Sequence, residues 1–113
     1  MATKSYKVFW TRSAQIDLIE IIEFIKTDSE KNARAIFQKI KTKSKELNKL
    51  PLRGRVVPEF KEFNIDKYRE LIISPWRLIY LIEDHSVYIL SVVDSRRDLE
   101  ELLYKKMMQI PDI

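Results

Sequence analysis

The sequence predicts an α+β fold: an N-terminal strand, a two-helix hairpin packed on an antiparallel β-sheet, and a C-terminal helix. Three observations carry this. Apolar residues alternate at the start of the chain, recur at helical spacing through the next third, and return in short strand-like runs separated by tight turns. At 113 residues, with 45% hydrophobic and 34% charged side chains, the chain has material for one core. Residues 1–113 therefore read as a single domain.

The first strand follows from Tyr6, Val8 and Trp10, which alternate with polar neighbours. Ala14, Leu18, Ile21, Ile22 and Ile25 then form one helical stripe, with Ser13 placed to cap it and Asp17 near its N-terminus. Thr27, Asp28 and Ser29 break the pattern. A second helix buries Ala33, Ile36, Phe37, Ile40, Ser44 and Leu47, and Leu50-Pro51 stops it. Residues 52–66, with the only glycine, Gly54, read as a loop holding one short element. Three apolar runs follow, at residues 68–73, 77–82 and 87–93. The segments between them, Ser74-Pro75-Trp76 and Glu83-Asp84-His85, are short enough for hairpin turns, which makes this part an antiparallel meander. Leu99, Leu102, Leu103 and Met107 place a last helix over residues 98–108. Trp10, Phe24, Phe37, Leu71, Ile79, Leu81, Ile89 and Val92 are the expected core.

Composition excludes several kinds of chemistry. Without cysteine there is no disulfide, thiolate metal site or thiol nucleophile, and a single histidine, His85, supports neither a histidine metal cluster nor a Ser-His-Asp triad. No metal and no cofactor is expected. No apolar run approaches the ~18 residues that span a bilayer, and the opening Met-Ala-Thr-Lys-Ser-Tyr lacks a secretory apolar core. The expectation is a cytoplasmic protein with no membrane partner.

The formal net charge of +4 is unevenly distributed. Lys31, Arg34, Lys39, Lys41, Lys43, Lys45, Lys49, Arg53 and Arg55 fall in one stretch whose only acid is Glu46, and the remainder of the chain is net acidic. Such asymmetry suits an acidic protein or polyanionic partner, or simply a solvated helix face.

Candidate chemistry gathers on arginines. Arg77 opens an apolar strand, so it marks either a salt bridge or an open concave site, and Arg69 on the neighbouring strand admits the same two readings. Arg96 and Arg97 follow Asp94-Ser95 at the start of the last helix, where cations are unfavourable unless an anion or an acidic side chain sits beside them. Arg69, Arg77, Arg96 and Arg97 together are candidates for an anion or nucleic-acid site at one end of the sheet. Guanidinium groups stabilise a pentacovalent phosphate but make poor general bases. Glu59, Glu62, Glu70, Tyr80 and Tyr104 are the available proton-transfer groups, and His85 reads as a solvated turn residue.

Several phrases resemble the RelE/ParE toxins of type II toxin–antitoxin systems. Trp10-Thr11-Arg12-Ser13-Ala14-Gln15-Ile16-Asp17-Leu18 is similar to the opening helix of that superfamily, and Leu50-Pro51-Leu52-Arg53-Gly54-Arg55 to the turn after its second helix. Arg69-Glu70-Leu71, Arg77-Leu78-Ile79-Tyr80 and Val93-Asp94-Ser95-Arg96-Arg97-Asp98 resemble its strand motifs, in the same order. The resemblance implies a growth-inhibiting toxin, of the plasmid-stabilisation kind, neutralised by a cognate antitoxin protein. Arg34, Lys39 and Lys43 are the residues expected to steer an acidic antitoxin. RelE-like members act as mRNA interferases, cleaving mRNA on the ribosome. That mode would place catalysis on Arg77, Arg96, Tyr80 and Tyr104. ParE-like members instead inhibit DNA gyrase. The long hairpin, Ser13 to Leu50, and the phrase from Trp10-Thr11 to Asp17-Leu18 resemble the ParE branch, while Leu102 where a RelE-like tyrosine is expected and Asp94 where a histidine is common depart from the RelE-like catalytic pattern. A third possibility is a non-toxic, toxin-derived domain that binds protein.

Overall fold

A computed structural model describes residues 5–96 together with Glu101 and Tyr104. The elements run β1 (Lys7–Trp10), α1 (Arg12–Lys26), α2 (Glu30–Lys45), a 3₁₀ turn (Glu46–Asn48), β2 (Arg55–Val56), α3 (Pro58–Lys61), β3 (Tyr68–Ile73), β4 (Trp76–Glu83) and β5 (Ser86–Asp94). The α+β architecture is the one expected. Most of the predicted last helix, residues 98–108, lies outside the described residues; Glu101 and Tyr104 have helical backbone.

The five strands form one sheet in the order β1-β5-β4-β3-β2. Strands β2 to β5 pair antiparallel, and the β3–β4 and β4–β5 connections are the two hairpins read from the sequence. Strand β1 departs from that pattern and lies parallel to β5, with Val8 opposite Val87 and Trp10 opposite Ile89. The first strand thus closes the sheet beside the last one, through contacts of very long sequence separation. The short element expected in residues 52–66 resolves into β2 and α3, the latter opened by Pro58 at a position where a missing N–H costs nothing.

Helix α1 starts earlier than Ser13 suggests. Thr11 is the cap, its Oγ1 accepting from the Ala14 amide at 3.2 Å while donating to the Ile89 carbonyl at 2.9 Å. One hydroxyl therefore ends β1, opens α1 and ties both to β5. The shift leaves Asp17 beyond the first turn, where it accepts from Ser91 Oγ (2.8 Å) and the Val92 amide (3.1 Å) and anchors the helix to the sheet. Ser29 caps α2 by accepting from the Asn32 amide at 3.1 Å.

The sheet is covered on both faces. On one, Ala14, Leu18, Ile40 and Leu47 from the helical hairpin meet Leu71, Leu78, Tyr80, Val87, Ile89 and Val92. Each fully buried aliphatic side chain there, Ile40 or Leu47, contributes roughly 1.5–3 kcal/mol. On the other face, Val57 and Phe60 cover Tyr68, Ile79, Leu81, Leu90 and Val93. Two expected core residues are instead exposed: Phe24 at 76% and Phe37 at 38%. Their helical stripe is wider than the sheet beneath it, so the outermost aromatics reach solvent. Trp10 is half-buried at the sheet edge, where its indole N–H donates to Ser44 Oγ (3.3 Å) and Lys41 lies over its ring.

Candidate functional site

Pairing across the β3–β4 hairpin decides which arginines can meet. Arg69 lies opposite Tyr80 and Glu70 opposite Ile79, so Arg69 shares the helical face with Tyr80, while Glu70 shares the α3 face with Ile79. Arg77, two residues before Ile79, is on the α3 face as well. Arg69 and Arg77 therefore stand on opposite faces and form no common cluster.

Arg77 resolves as a salt bridge. Its Nη1 and Nη2 donate in a fork to Glu59 Oε2 and Oε1, both at 2.8 Å, and its Nε donates to Glu70 Oε1 at 2.6 Å. Glu70 Oε2 accepts from Arg55 Nε at 2.6 Å. The Glu70 side chain has no exposure and Arg77 only 9%, whereas Arg55 at the other end is 62% exposed. The network joins β2, α3, β3 and β4 in a charge-balanced chain of two arginines and two glutamates. The Arg77 fork holds the Glu59 carboxyl below the ordinary carboxylate range, and the Glu59 hydrogen bond raises Arg77. Glu59 and Glu70, candidate proton-transfer groups by residue type, are instead the partners of Arg77, and Glu70 sits diagonally across the hairpin from it.

Tyr80 is fully buried on the other face, and burial pushes its hydroxyl up from the ordinary tyrosine value. That hydroxyl donates to the Pro51 carbonyl at 2.7 Å and accepts from the Gly54 amide at 2.9 Å. Arg69 Nη1 donates to the Gly54 carbonyl at 2.6 Å. Both side chains thus hold the loop between α2 and β2. Gly54 is required there, because a Cβ would stand 2.5 Å from the Glu70 carbonyl and 2.7 Å from the Tyr80 hydroxyl.

Arg96 sits just past β5, with its side chain 82% exposed. Its Nε and Nη2 donate to Asp94 Oδ1 and Oδ2 at 2.9 and 2.6 Å, and its amide donates to Asp94 Oδ1 at 2.9 Å. It borders a depression of about 320 Å³ between α1 and the end of the sheet, lined also by Asp17, Glu20, Phe24, Trp76 and Asp94. The acids there outnumber the arginine. Arg97 lies outside the described residues, and Tyr104 is 65% exposed.

The basic hairpin residues divide. Arg34 shares a flank of α2 with Lys41 and Lys45, which border Trp10 at the β1 edge, while Lys39 and Lys43 lie on the opposite flank. Arg34 makes only a loose, exposed pair with Glu30 at 4.0 Å. Among the described residues there is no group of three or more metal-ligating side chains, and no helix is long and apolar enough to cross a membrane.

Comparison with known proteins agrees with this architecture. The family described as the ParE toxin of the type II toxin-antitoxin system parDE matches residues 8–99. The fold is similar to that of a chromosomal ParDE toxin–antitoxin system from P. aeruginosa, at 20% identity and a TM-score of 0.66, covering 80% of this chain and 97% of that one. It is also similar to the RelBE2 toxin–antitoxin complex from Mycobacterium tuberculosis, at 23% identity and a TM-score of 0.54, covering 82% and 94%. No curated protein matches the sequence. With nearly the whole described chain inside the matched region, the protein belongs to the ParE toxin family of type II toxin–antitoxin systems.

Proposed function

We propose that the protein inhibits growth by binding DNA gyrase and trapping it on DNA, and that a cognate antitoxin holds it inactive. The observation that carries this reading is the state of Arg77. A guanidinium that is to stabilise a phosphorane must face the phosphate. Here three of its nitrogens donate to Glu59 and Glu70 beneath α3. Tyr80, the nearest candidate acid on β4, is buried on the opposite face with its hydroxyl bound to a loop. Of the catalytic set expected for a ribosome-dependent nuclease, only Arg96 and Tyr104 are exposed. The residues support a binding surface better than a cleavage centre.

The antitoxin reading is supported by the ParDE and RelBE2 likenesses and by the charge of α2. Arg34, Lys39 and Lys43 point to different sides of the helix, yet a field from both flanks still accelerates encounter with an acidic chain. Purified toxin freed of antitoxin should make gyrase accumulate cleaved plasmid DNA, and adding antitoxin should reverse this. Growth arrest without any effect on gyrase would remove the reading, and a protein that arrests nothing would leave only the non-toxic binding domain.

A further inference from the structure

The loop that leaves α2 carries an unusual combination of rigidity and exposed apolar surface. Leu50 is 56% exposed and Leu52 is 66% exposed. Yet the segment bearing them is held at several independent points. The Tyr80 hydroxyl binds Pro51 and Gly54, Arg53 Nη1 donates to Glu46 Oε1 at 2.6 Å, and the Arg53 amide donates to the Leu50 carbonyl at 3.1 Å. At the base of the loop the Tyr6 amide donates to the Asn48 carbonyl at 2.7 Å. A loop fixed in this way cannot fold its leucines inward, so their exposure is built in.

With Tyr6 and Ile82 these leucines enclose an open depression of about 510 Å³, and Lys49 and Arg53 stand on its rim. An apolar floor with cationic edges fits an amphipathic protein segment that pairs aliphatic or aromatic anchors with acidic flanks. It suits a nucleic-acid backbone poorly, since phosphates gain nothing from Leu50, Leu52 and Ile82.

We infer that this depression is a docking surface for an acidic amphipathic segment of the cognate antitoxin, with its apolar anchors seated between Leu50 and Leu52. The inference rests on the antitoxin reading above and assigns it a place on the fold. Because both leucines are exposed, a Leu50→Ser/Leu52→Ser variant keeps the core intact, which thermal unfolding verifies.

The test is calorimetric titration of wild type and this variant with the antitoxin encoded beside the toxin, at low and high salt. Binding should weaken by at least about thirtyfold in the leucine variant, a hot-spot effect. Lys49→Ala/Arg53→Ala should weaken it less and lower its salt dependence. Amide exchange on the wild-type complex adds a reading free of substitutions, in which residues 49–53 should become protected. Tight wild-type binding with leucine variants within about twofold, and with no protection of residues 49–53, overturns the inference alone. An antitoxin that fails to bind wild type overturns the antitoxin reading and this inference together. Protection of residues 49–53 by duplex DNA instead of antitoxin would assign the surface to nucleic acid and likewise overturn it.

Discussion

Arg77 and Arg96 look alike in the sequence, each an arginine beside a strand end with carboxylates nearby, yet the fold uses them oppositely. Both donate two parallel hydrogen bonds to one carboxylate. Arg77 does so with its side chain 9% exposed, bonded also to a glutamate with no exposure, whereas Arg96 does so at 82% exposure. The contacts match and the surroundings differ, so the energetic consequences differ. A buried carboxylate without its partner carries an uncompensated desolvation cost. An exposed pair is exchanged for water at little cost. One arginine holds the sheet to α3; the other is a surface group available to a partner.

Breaking the buried pair should give the largest effect. Arg77→Ala should lower the free energy of unfolding by about 3–5 kcal/mol in denaturant titration, because it leaves Glu70 and Glu59 facing each other beneath α3. Next come the residues that hold the α2–β2 loop. Tyr80→Phe removes an acceptor from the Gly54 amide and a donor from the Pro51 carbonyl, and should cost about 1–3 kcal/mol in the same titration. Gly54→Ala, forcing a Cβ against the Glu70 carbonyl, should cost about 1–3 kcal/mol.

A smaller, pH-dependent effect sharpens the contrast. The folded state holds the Glu59 carboxyl below its ordinary value of 4.5, chiefly through the Arg77 hydrogen bonds. A depressed acid stabilises the fold at pH above the unfolded value, and that stability is lost as pH falls through the folded value. Unfolding midpoints should therefore drop on acidification below the ordinary value, and Glu59→Gln should flatten that part of the profile. Smallest of all, Arg96→Ala should leave the unfolding midpoint at neutral pH unchanged. A midpoint that moved as far as that of Arg77→Ala would erase the distinction between the two sites.

Local pattern made most of the fold legible. Strand β3 falls on the first of the three apolar runs, β4 and β5 extend the other two by a residue at each end, and both hairpin turns lie where short segments interrupt those runs. What escaped was nonlocal. No periodicity announces that β1 lies parallel to β5, because that contact joins the first and last strands in chain order. Nor does residue type say which aromatic a wide helical stripe leaves outside, as at Phe24 and Phe37. At the candidate site, the expected grouping of Arg69 with Arg77 fails, because pairing across the two-residue β3–β4 turn sets Arg69 on the face of Tyr80 and Arg77 on the face of Ile79. The Glu59 partner comes from α3, a four-residue helix that no sequence pattern positions over β4.

The most direct test of whether this toxin acts by binding rather than cutting is mRNA cleavage in a reconstituted translation reaction, with the toxin freed of antitoxin. The buried Arg77 predicts no codon-phased, ribosome-dependent cuts at concentrations that arrest growth. Such cuts from the wild-type protein, abolished in a folded Arg96→Ala variant, would contradict it and establish a nuclease.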